Sequence, residues 1–493
     1  MTVQAPSTTR PAFLRPAVPA WTEAQRSILS FLEYLFVVAT LILCLNGFRE
    51  VFTSESADSS VSTLTDSNFS FQLFSGTLYL IAAAFILADL SRFIHLCLRN
   101  WALLLMLAII VMSSAWSVYP MVSFRRASAL LLTTGFAAYF AMRFSPQTGL
   151  KLVAWACGIS AAASLVLVVV DPAAAIHPAS DIHAGDWRGV FGMKNVMGRS
   201  MAFGVLTLIA TTFVVRPAAR LLAIAGIVLC AAMLIMSAAR TGWVVAVFVL
   251  FAAPFFVLLQ PNRFSRAVRI FMVALAAVAG CMLVAMTFQY GLALIGRDET
   301  LSGRTHLWDL ALASGKKRFL IGAGYRAYWT ESGASDIYTQ TSLGGRSLGN
   351  GHNGYLDTWL ELGMIGFSAF LLLLVTVLVR ITRYLTRSAD AIGLWMAMAV
   401  SYMALYALTE QVLMQQSEIT WVMTVATLFW LTPLRAATGR PVRWRPASAP
   451  QEAAAGTHPS APAGGGGYPA AARRVPPRIG YAGAKGAVPR RPA

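Results

Sequence analysis

Apolar stretches recur along most of this 493-residue chain and are separated by short polar segments. Each stretch has the length of about 20 residues that an α-helix needs to cross a bilayer, and none alternates in polarity as barrel strands do. The pattern predicts an all-α polytopic membrane protein of about twelve transmembrane helices, at 28–48, 71–91, 101–117, 127–144, 152–170, 198–215, 219–237, 241–259, 268–290, 355–379, 391–409 and 414–433.

The same pattern divides the chain into three segments. The N-terminal tail, residues 1–27, and the C-terminal tail, residues 434–493, lack apolar periodicity, and the second is rich in proline, alanine, glycine and arginine. Such compositions bury no core, so we expect both tails to be mostly disordered. The helical domain, residues 28–433, contains one long loop, residues 291–354, between the ninth and tenth predicted helices.

The composition is that of a membrane protein. The chain is 57% hydrophobic and 12% charged, whereas soluble domains carry about 25% charged residues. Its net charge of +18 does not indicate nucleic-acid binding, because much of the excess lies in short loops and in the C-terminal tail. That distribution is typical of segments retained on the cytoplasmic side, next to anionic lipid.

The basic residues are concentrated in alternate loops. One set of loops holds Arg92, Arg99, Arg143, Lys151, Arg216, Arg220, Arg263, Arg266, Arg269, Arg380, Arg383 and Arg387. The positive-inside bias places these loops and both termini in the cytoplasm. The loops on the opposite, outer side contain Asp171, Asp181, Asp186, Arg188, Arg240, Glu410 and the stretch 291–354.

Three of the arginines on the outer side, where the bias disfavours them, belong to short motifs. Arg188 belongs to a Trp-Arg-Gly-Val-Phe-Gly-Met-Lys-Asn motif that ends at Lys194 and Asn195, Arg240 to Ser-Ala-Ala-Arg-Thr-Gly, and Arg304 to Ser-Gly-Arg-Thr. A guanidinium presents a planar fork of donors that suits phosphate or carboxylate oxygens. The alternative for each is an arginine at the headgroup level or on a solvated helix.

A histidine ends the long outer loop in the motif Gly-His-Asn-Gly-Tyr-Leu-Asp, which runs from residue 351 to residue 357. An imidazole has an unperturbed pKa of about 6.5 and therefore suits proton transfer near neutrality. His352 is the candidate base, although a lone histidine is more often structural. Asn353, Asp357 and Glu361 follow it closely.

Two further predictions concern the outer segments. Leu307, Leu310 and Ala311 fall at helical spacing, which predicts a short amphipathic helix with Arg304 near its start. The adjacent pair at residues 125 and 126 follows a Trp-Ser-Val-Tyr-Pro stretch. These two arginines either guide phosphate or anchor the fourth helix, and we favour the anchor.

Together these motifs, in this order on a chain of about twelve spans, resemble the O-antigen ligase and Wzy-type polymerase superfamily of bacterial surface-polysaccharide assembly. Within it, Trp-Ser-Val-Tyr-Pro, Gly-Val-Phe-Gly-Met-Lys-Asn, Ser-Gly-Arg-Thr and Gly-His-Asn-Gly-Tyr-Leu are most similar to exopolysaccharide polymerases of the succinoglycan type. The resemblance covers about residues 30–433. Its essential arginines match Arg240 and Arg304, its essential histidine matches His352, and the segment from Arg188 to Gly192 resembles an arginine motif of the polymerases.

The resemblance implies an inverting transfer of oligosaccharide repeat units from undecaprenyl diphosphate to an acceptor sugar hydroxyl, at the periplasmic face of the bacterial inner membrane. We hypothesise that Arg240, Arg304 and Arg188 hold the diphosphate and that His352 is the general base. The supporting residues are Lys194, Asn195, Asn353, Asp357 and Glu361, with Asp336 or Asp357 as the reserve base. No Asp-x-Asp pair occurs in the outer loops, so we expect neither a metal nor another cofactor.

Three alternatives stay open at the level of sequence. An O-antigen ligase, which moves finished polymer onto lipid A core, uses the same donor linkage, and the arginines cannot separate it from a polymerase. A flippase for lipid-linked sugars would place charges near mid-membrane, and most spans here have apolar centres. The third is a non-catalytic partner that binds sugar lipids. Expected partners are the lipid-linked donor, an acceptor glycan, the bilayer, and the flippase and chain-length regulator of the same pathway, with no nucleic acid.

Overall fold

The computed structural model describes residues 23–48, 69–181, 183–261, 264–274, 304–330, 334 and 349–432. Their regular structure is α-helical apart from short 3-10 turns and one isolated β-bridge between Ile176 and Trp187. The helices are α1 Glu23–Cys44, α2 Phe69–Ala88, α3 Leu90–Arg99, α4 Trp101–Met112, α5 Pro120–Arg143, α6 Pro146–Val170, α7 Pro172–Ala175, α8 Lys194–Thr212, α9 Pro217–Met236, α10 Arg240–Leu259, α11 Arg304–Gly315, α12 Gly354–Leu385, α13 Ala391–Tyr406 and α14 Ile419–Trp430.

In the described part of the chain, six helices are long and apolar enough to cross a membrane: α1, α2, α6, α9, α10 and α12. The pair α3 and α4, bent by 91°, would make a seventh. The all-helical class is therefore confirmed, but twelve spans are not. Helices α13 and α14 are apolar but shorter. The predicted ninth span, 268–290, falls largely outside the described residues, and of the predicted long loop, 291–354, the structure describes 304–330, 334 and 349–354.

Proline and short polar side chains fix several helix starts. Helices α5, α6 and α9 each begin with proline, whose fixed φ suits the first helical position and whose missing N–H is not needed there. Ser145 accepts a hydrogen bond from the Thr148 amide to cap α6, and Asp390 accepts one from the Gly393 amide to cap α13. These caps satisfy amides that the first turn leaves without partners.

The helix termini gather at two ends of the bundle. At the first, the Phe48 amide donates to the Val190 carbonyl, the Trp187 amide to Met236, and the Gly354 amide to Ala407. We call this the loop end; it comprises the helix termini at Cys44, Pro120, Val170, Lys194, Met236, Arg240, Gly354, Tyr406 and Ile419, and the segments 113–119, 304–330 and 407–418. The opposite end joins Arg143 to Glu33, the Trp430 indole to the Phe144 carbonyl, and Arg380 to Asn100 and Thr432.

Helix α14 forms the centre of the bundle, because every residue from Ile419 to Phe429 is buried. Its Trp421 indole donates to the Thr134 hydroxyl of α5 at 3.0 Å, and its Thr424 hydroxyl bonds back to the Thr420 carbonyl. Polar groups inside an apolar bundle need such partners, since leaving them unpaired costs free energy. The cysteines at 44, 157 and 230 are likewise buried in the core.

Helix α12 is broken at Gly363, which has φ 64° and ψ −171°. The break admits the segment 319–324: the Met364 and Ile365 amides donate to the Phe319 and Leu320 carbonyls, and the Gly324 amide donates to the Glu361 carbonyl. A Cβ on Gly363 would lie 2.2 Å from the Leu320 carbonyl carbon. Only glycine fits both the backbone angle and the close approach, so this residue locks the outer segment onto the helix.

Candidate functional site

His352 lies in the turn that precedes α12. Its backbone takes the left-handed conformation, with φ 50°, and its amide donates to the Asn350 side-chain oxygen at 2.9 Å. The imidazole Nδ1 lies 3.0 Å from Glu410 Oε2, and about a third of the histidine side chain, 34%, is exposed. A carboxylate on one ring nitrogen fixes the tautomer and leaves the other nitrogen for a reactant.

The turn that carries His352 is fixed on both sides. Asp357 is fully buried and accepts hydrogen bonds from the Gly351 amide at 3.0 Å and from the Trp329 indole at 2.7 Å. The Trp308 indole of α11 donates to the Gly351 carbonyl at 2.8 Å. The carboxyl group of Asp357 is therefore engaged in holding the turn, and the amphipathic helix predicted after Arg304 is confirmed and supports the same turn.

Asn353 caps α12. Its side-chain oxygen accepts from the Tyr355 amide at 3.1 Å and from the Leu356 amide at 3.2 Å. Asparagine at the N-cap position commonly accepts such hydrogen bonds from the first amides of a helix. It fixes the direction in which the chain leaves His352.

Arg188 packs against the one-turn helix α7. Its Nε donates to the Ala174 carbonyl at 3.0 Å and its Nη2 to the Ala173 carbonyl at 3.3 Å. These bonds use terminal carbonyls of a short helix and leave the charge without a carboxylate among the described residues. The side chain is half-buried, so the guanidinium retains an accessible side.

Lys194 opens α8 and is in an ion pair: its Nζ lies 2.6 Å from Asp186 Oδ2. Asn195 follows in the same first turn and is half-buried. In the same outer segment, the His183 amide and then the His177 side chain bond to Asp181 and lower the pKa of that carboxyl. The Lys194 charge is thus already neutralised by a neighbour, whereas Arg188 has no such partner in the described part of the chain.

Arg240 is the first residue of α10 and is exposed. Small residues surround its backbone: a Cβ on Gly198 would meet the Ala239 Cβ at 2.2 Å, and one on Gly242 would meet the Gly198 carbonyl oxygen at 3.0 Å. Helices α8 and α10 therefore cross in close backbone contact, as small residues permit. Within the described residues, no side chain pairs with the Arg240 guanidinium.

The structure joins the first two arginine motifs directly, since the Trp187 amide donates to the Met236 carbonyl at 3.0 Å. For Arg304 it describes the backbone, which begins α11. It shows no direct contact between Arg240 and His352 among the described residues, and Asp336 lies outside them.

A buried ion pair, not predicted from the sequence, links the arginine motifs to the histidine. Arg199 Nη2 on α8 lies 2.9 Å from Glu418 Oε2, and Glu418 also accepts a hydrogen bond from the Asn46 amide group at 3.1 Å. Glu410, the partner of His352, is among the charges that act on Arg199. The signal was an arginine inside a predicted span, because a charge in an apolar run is retained only with a partner.

Arg126 shows that the anchor interpretation was wrong for this residue. It is half-buried and its Nη1 donates to the Arg326 carbonyl at 2.5 Å, so it points into the protein and not towards lipid headgroups. Arg125 beside it is exposed. Glu361, which the sequence predicted only as a supporting residue, lies close to both Arg126 and Arg326 and accepts from the Gln411 amide group at 3.1 Å.

The described residues contain no group of three or more His, Cys, Asp or Glu side chains that could hold a metal ion. The cations near His352 include the guanidinium groups of Arg126, Arg199 and Arg326. Burial raises the pKa of the Tyr325 phenol, so this neighbour of Arg326 stays protonated and adds no negative charge. The arrangement can bind an anion and can accept a proton at His352.

Comparison with known proteins agrees with this chemistry. Residues 225–371 match the family model Wzy_C, described as O-antigen ligase. A relative, the "Exopolysaccharide production protein ExoQ" of Rhizobium meliloti (strain 1021), is 33% identical over 114 residues. That match covers 22% of this chain, and the chain spans about a quarter, 26%, of the relative's length.

These findings confirm the resemblance predicted from the motifs: the chain is similar to the O-antigen ligase family over residues 225–371 and to an ExoQ protein over 114 residues. The matched family segment contains Arg240, Arg304 and His352, whereas Arg188 precedes it. The apolar helices indicate a multi-pass membrane protein.

Proposed function

We propose that this protein transfers oligosaccharide repeat units from undecaprenyl diphosphate onto an acceptor sugar hydroxyl and so polymerises a surface polysaccharide. The observation that carries the proposal is His352, part-exposed at the loop end with Glu410 on its Nδ1 at 3.0 Å. The match to an O-antigen ligase model across this histidine and two of the candidate arginines supports it.

The reaction makes two demands on the site. The acceptor hydroxyl must lose its proton, and His352 Nε2 accepts it while Nδ1 is held by Glu410. The oxygen then attacks the anomeric carbon from the face opposite the leaving group, so a new glycosidic C–O bond forms as the bond to the diphosphate breaks. The configuration at that carbon inverts, and the diphosphate leaves with the bonding electrons.

Arginines stabilise the leaving group in this proposal. Charge grows on the diphosphate as the anomeric bond breaks, and fixed cations at that position lower the barrier. Arg240 and Arg304 hold the diphosphate and Arg188 assists, since a guanidinium binds phosphate oxygens in pairs. No metal or other cofactor has a role in this mechanism.

Glu410 is a positioning residue. The carboxylate orients the imidazole and stabilises the imidazolium that forms when the proton is taken, the service that a carboxylate gives to a catalytic histidine elsewhere. Asp357 and Trp308 act one step further away by holding Gly351, which precedes the histidine. The base is thus carried by a turn whose position is determined by buried contacts.

The proposal places the loop end at the periplasmic face of the inner membrane and both termini in the cytoplasm. The apolar helices provide the grooves for the polyprenyl chain. The exposed aliphatic surface of α9 and α10, with Leu221, Val228, Val244 and Phe251 all more than half exposed, suits contact with lipid tails.

The decisive experiment is a reconstituted assay with purified lipid-linked repeat units as both donor and acceptor. A ladder of products with the unaltered chain establishes polymerisation. His352→Ala should abolish the ladder, and His183→Ala, a histidine in another segment of the loop end, should leave it intact. Full-rate synthesis by His352→Ala would remove the histidine from the mechanism.

The second candidate function is an O-antigen ligase, which the description of the matching family favours. Both functions use the same donor linkage, so the acceptor separates them. Adding lipid A core with preformed lipid-linked polymer tests this directly. Transfer to that core without any ladder from repeat units would replace polymerase by ligase.

A further inference from the structure

Arg126 and Arg326 form a second cationic group at the loop end, on different elements from Arg188, Arg240 and Arg304. Arg126 comes from the start of α5, and its Nη1 donates to the Arg326 backbone carbonyl. Arg326 comes from the outer segment that follows α11. Each guanidinium acts on the other by charge repulsion, so the pair is not stabilised by its own proximity.

The backbone at Arg326 is held in an uncommon conformation. Its φ is 58°, two residues after Gly324 at φ 100°, and left-handed angles cost free energy in a non-glycine residue. The adjacent Tyr325 is fixed from three directions: its amide donates to Ser113 Oγ at 3.0 Å, its carbonyl accepts from Ser123 Oγ at 2.8 Å, and its hydroxyl donates to the Met414 carbonyl. The surrounding structure therefore fixes the backbone from which the Arg326 side chain extends.

The nearby carboxyl groups accept their hydrogen bonds from other donors, and Glu361 attracts both guanidinium groups from a longer distance. Glu361 accepts from the Gln411 amide group and from the Arg326 backbone amide, and Asp357 accepts from Trp329 and Gly351. Among the described residues, neither Arg126 nor Arg326 closes an ion pair with them. The Arg326 Nη1 is buried and has no hydrogen-bond partner in this part of the chain.

A buried donor without a partner costs about 1–3 kcal/mol, and more when it is charged. An external anion would attract both guanidinium groups and could accept a hydrogen bond from the unused donor, so its binding would stabilise this pair of arginines. Guanidinium groups bind phosphate oxygens in bidentate fashion. This arrangement of guanidinium groups therefore indicates a phosphate-bearing ligand at Arg126 and Arg326.

The proposed reaction uses two such ligands. Polymerisation from lipid-linked repeat units brings one diphosphate with the donor and another with the acceptor, and only the donor's diphosphate is released. We propose that Arg126 and Arg326 bind the diphosphate of the acceptor lipid, while Arg240 and Arg304 bind that of the donor. This assignment rests on the proposed polymerase function.

Binding stoichiometry tests it separately from turnover. The full chain is placed in phosphatidylcholine nanodiscs, and binding of farnesyl diphosphate is measured by calorimetry. We expect two diphosphates per unaltered chain and one per chain for Arg326→Gln, for Arg126→Gln and for Arg240→Gln. The double variant Arg240→Gln with Arg326→Gln should bind none, and Arg92→Gln at the opposite end should still bind two.

Other binding stoichiometries would overturn the inference or part of the proposed function. Two diphosphates bound by both Arg326→Gln and Arg126→Gln would overturn the inference. Loss of one site in Arg326→Gln with no loss in Arg240→Gln would support the inference and refute the donor assignment in the proposed function. Phosphatidylglycerol is then added as a competitor. If it displaces farnesyl diphosphate from the Arg326 site at the concentration at which farnesyl diphosphate itself binds, the site binds phospholipid headgroups and the acceptor assignment is wrong.

A folding defect is separated by a milder change. Arg326→Lys retains the charge and the chain stem but loses the bidentate fork. Its thermal unfolding should match that of the unaltered chain, while its affinity at the second site falls at least tenfold. Unchanged affinity in Arg326→Lys would contradict bidentate phosphate binding at this residue.

Discussion

Arg380 and Arg326, which lie at opposite ends of the bundle, are bonded in opposite ways. At the opposite end, Arg380 donates to the Asn100 side chain, the Thr432 hydroxyl and the Leu428 and Arg99 carbonyls. At the loop end, Arg240 is exposed, and Arg326 has a buried nitrogen without a partner in the described residues.

In the proposed function, arginine serves stability at one end and ligand binding at the other. A fully bonded guanidinium joins helices and has little capacity left for a ligand. A guanidinium fixed in place but incompletely bonded is prepared for an anion that arrives later. The sequence shows arginines at both ends. Only the hydrogen bonds that each guanidinium makes separate a stabilising arginine from one proposed to bind a ligand.

The largest expected effect tests directly whether the two arginines have different roles. Arg240→Gln should lower the polymerisation rate by about 10²–10³-fold, the usual result of removing one fixed donor from a developing anion. Its apparent melting temperature in detergent should not change, because the residue is exposed. Arg380→Gln should do the reverse: a lower melting temperature and an unchanged rate per folded protein. Equal losses of rate in both would contradict separate roles for the two ends.

The second prediction concerns the positioning of the base. Glu410→Gln should lower kcat by about 10–100-fold, as loss of an outer partner typically does at an active site, with little change in KM for the acceptor. The matched control is Glu33→Gln, which breaks the carboxylate pair with Arg143 at the opposite end. A rise in KM with unchanged kcat would show that Glu410 contacts the acceptor and does not orient His352.

The third prediction tests the break in α12. Gly363→Ala forces a Cβ to within 2.2 Å of the Leu320 backbone in a left-handed conformation, which should cost at least about 1–3 kcal/mol of stability. Activity should fall with it, because the segment that carries Tyr325 and Arg326 is displaced. Gly158→Ala in α6 is the control: its Cβ enters open space, so thermal unfolding should be unchanged or slightly raised.

The smallest expected effect is confined to the opposite end. Ser145→Ala removes the side chain that caps α6 and should lower stability by about 1 kcal/mol. Scanning calorimetry of the purified chain measures it, with Ser145→Asp as the conservative substitution that restores the cap. The rate of polymerisation per folded molecule should stay constant, and a change in rate would mean that the two ends are coupled through α6.

The helices and the candidate residues of the site could be read from the sequence because each depends on local pattern. The length of each apolar stretch predicted a helix, and the structure has a helix in every predicted span that it describes. The spacing of Leu307, Leu310 and Ala311 predicted α11. Arg240 could be noticed because an arginine in a short outer loop goes against the positive-inside bias. His352 could be noticed because it belongs to a short polar motif at the start of a predicted helix. The span count was less well determined, since helices α13 and α14 are apolar but short.

The pairing of side chains was decided by the tertiary structure alone. His352 and Glu410 are 58 residues apart, and Arg126 and Arg326 are 200 apart, and no periodicity in a single chain relates positions so distant. Arg126 resembled a membrane anchor because its neighbours along the chain are interfacial, whereas its direction depends on the segment that lies across α5. Local sequence thus determined which groups exist and on which stretch they stand; packing between distant segments decided which of them are neutralised and which are left to bind a ligand.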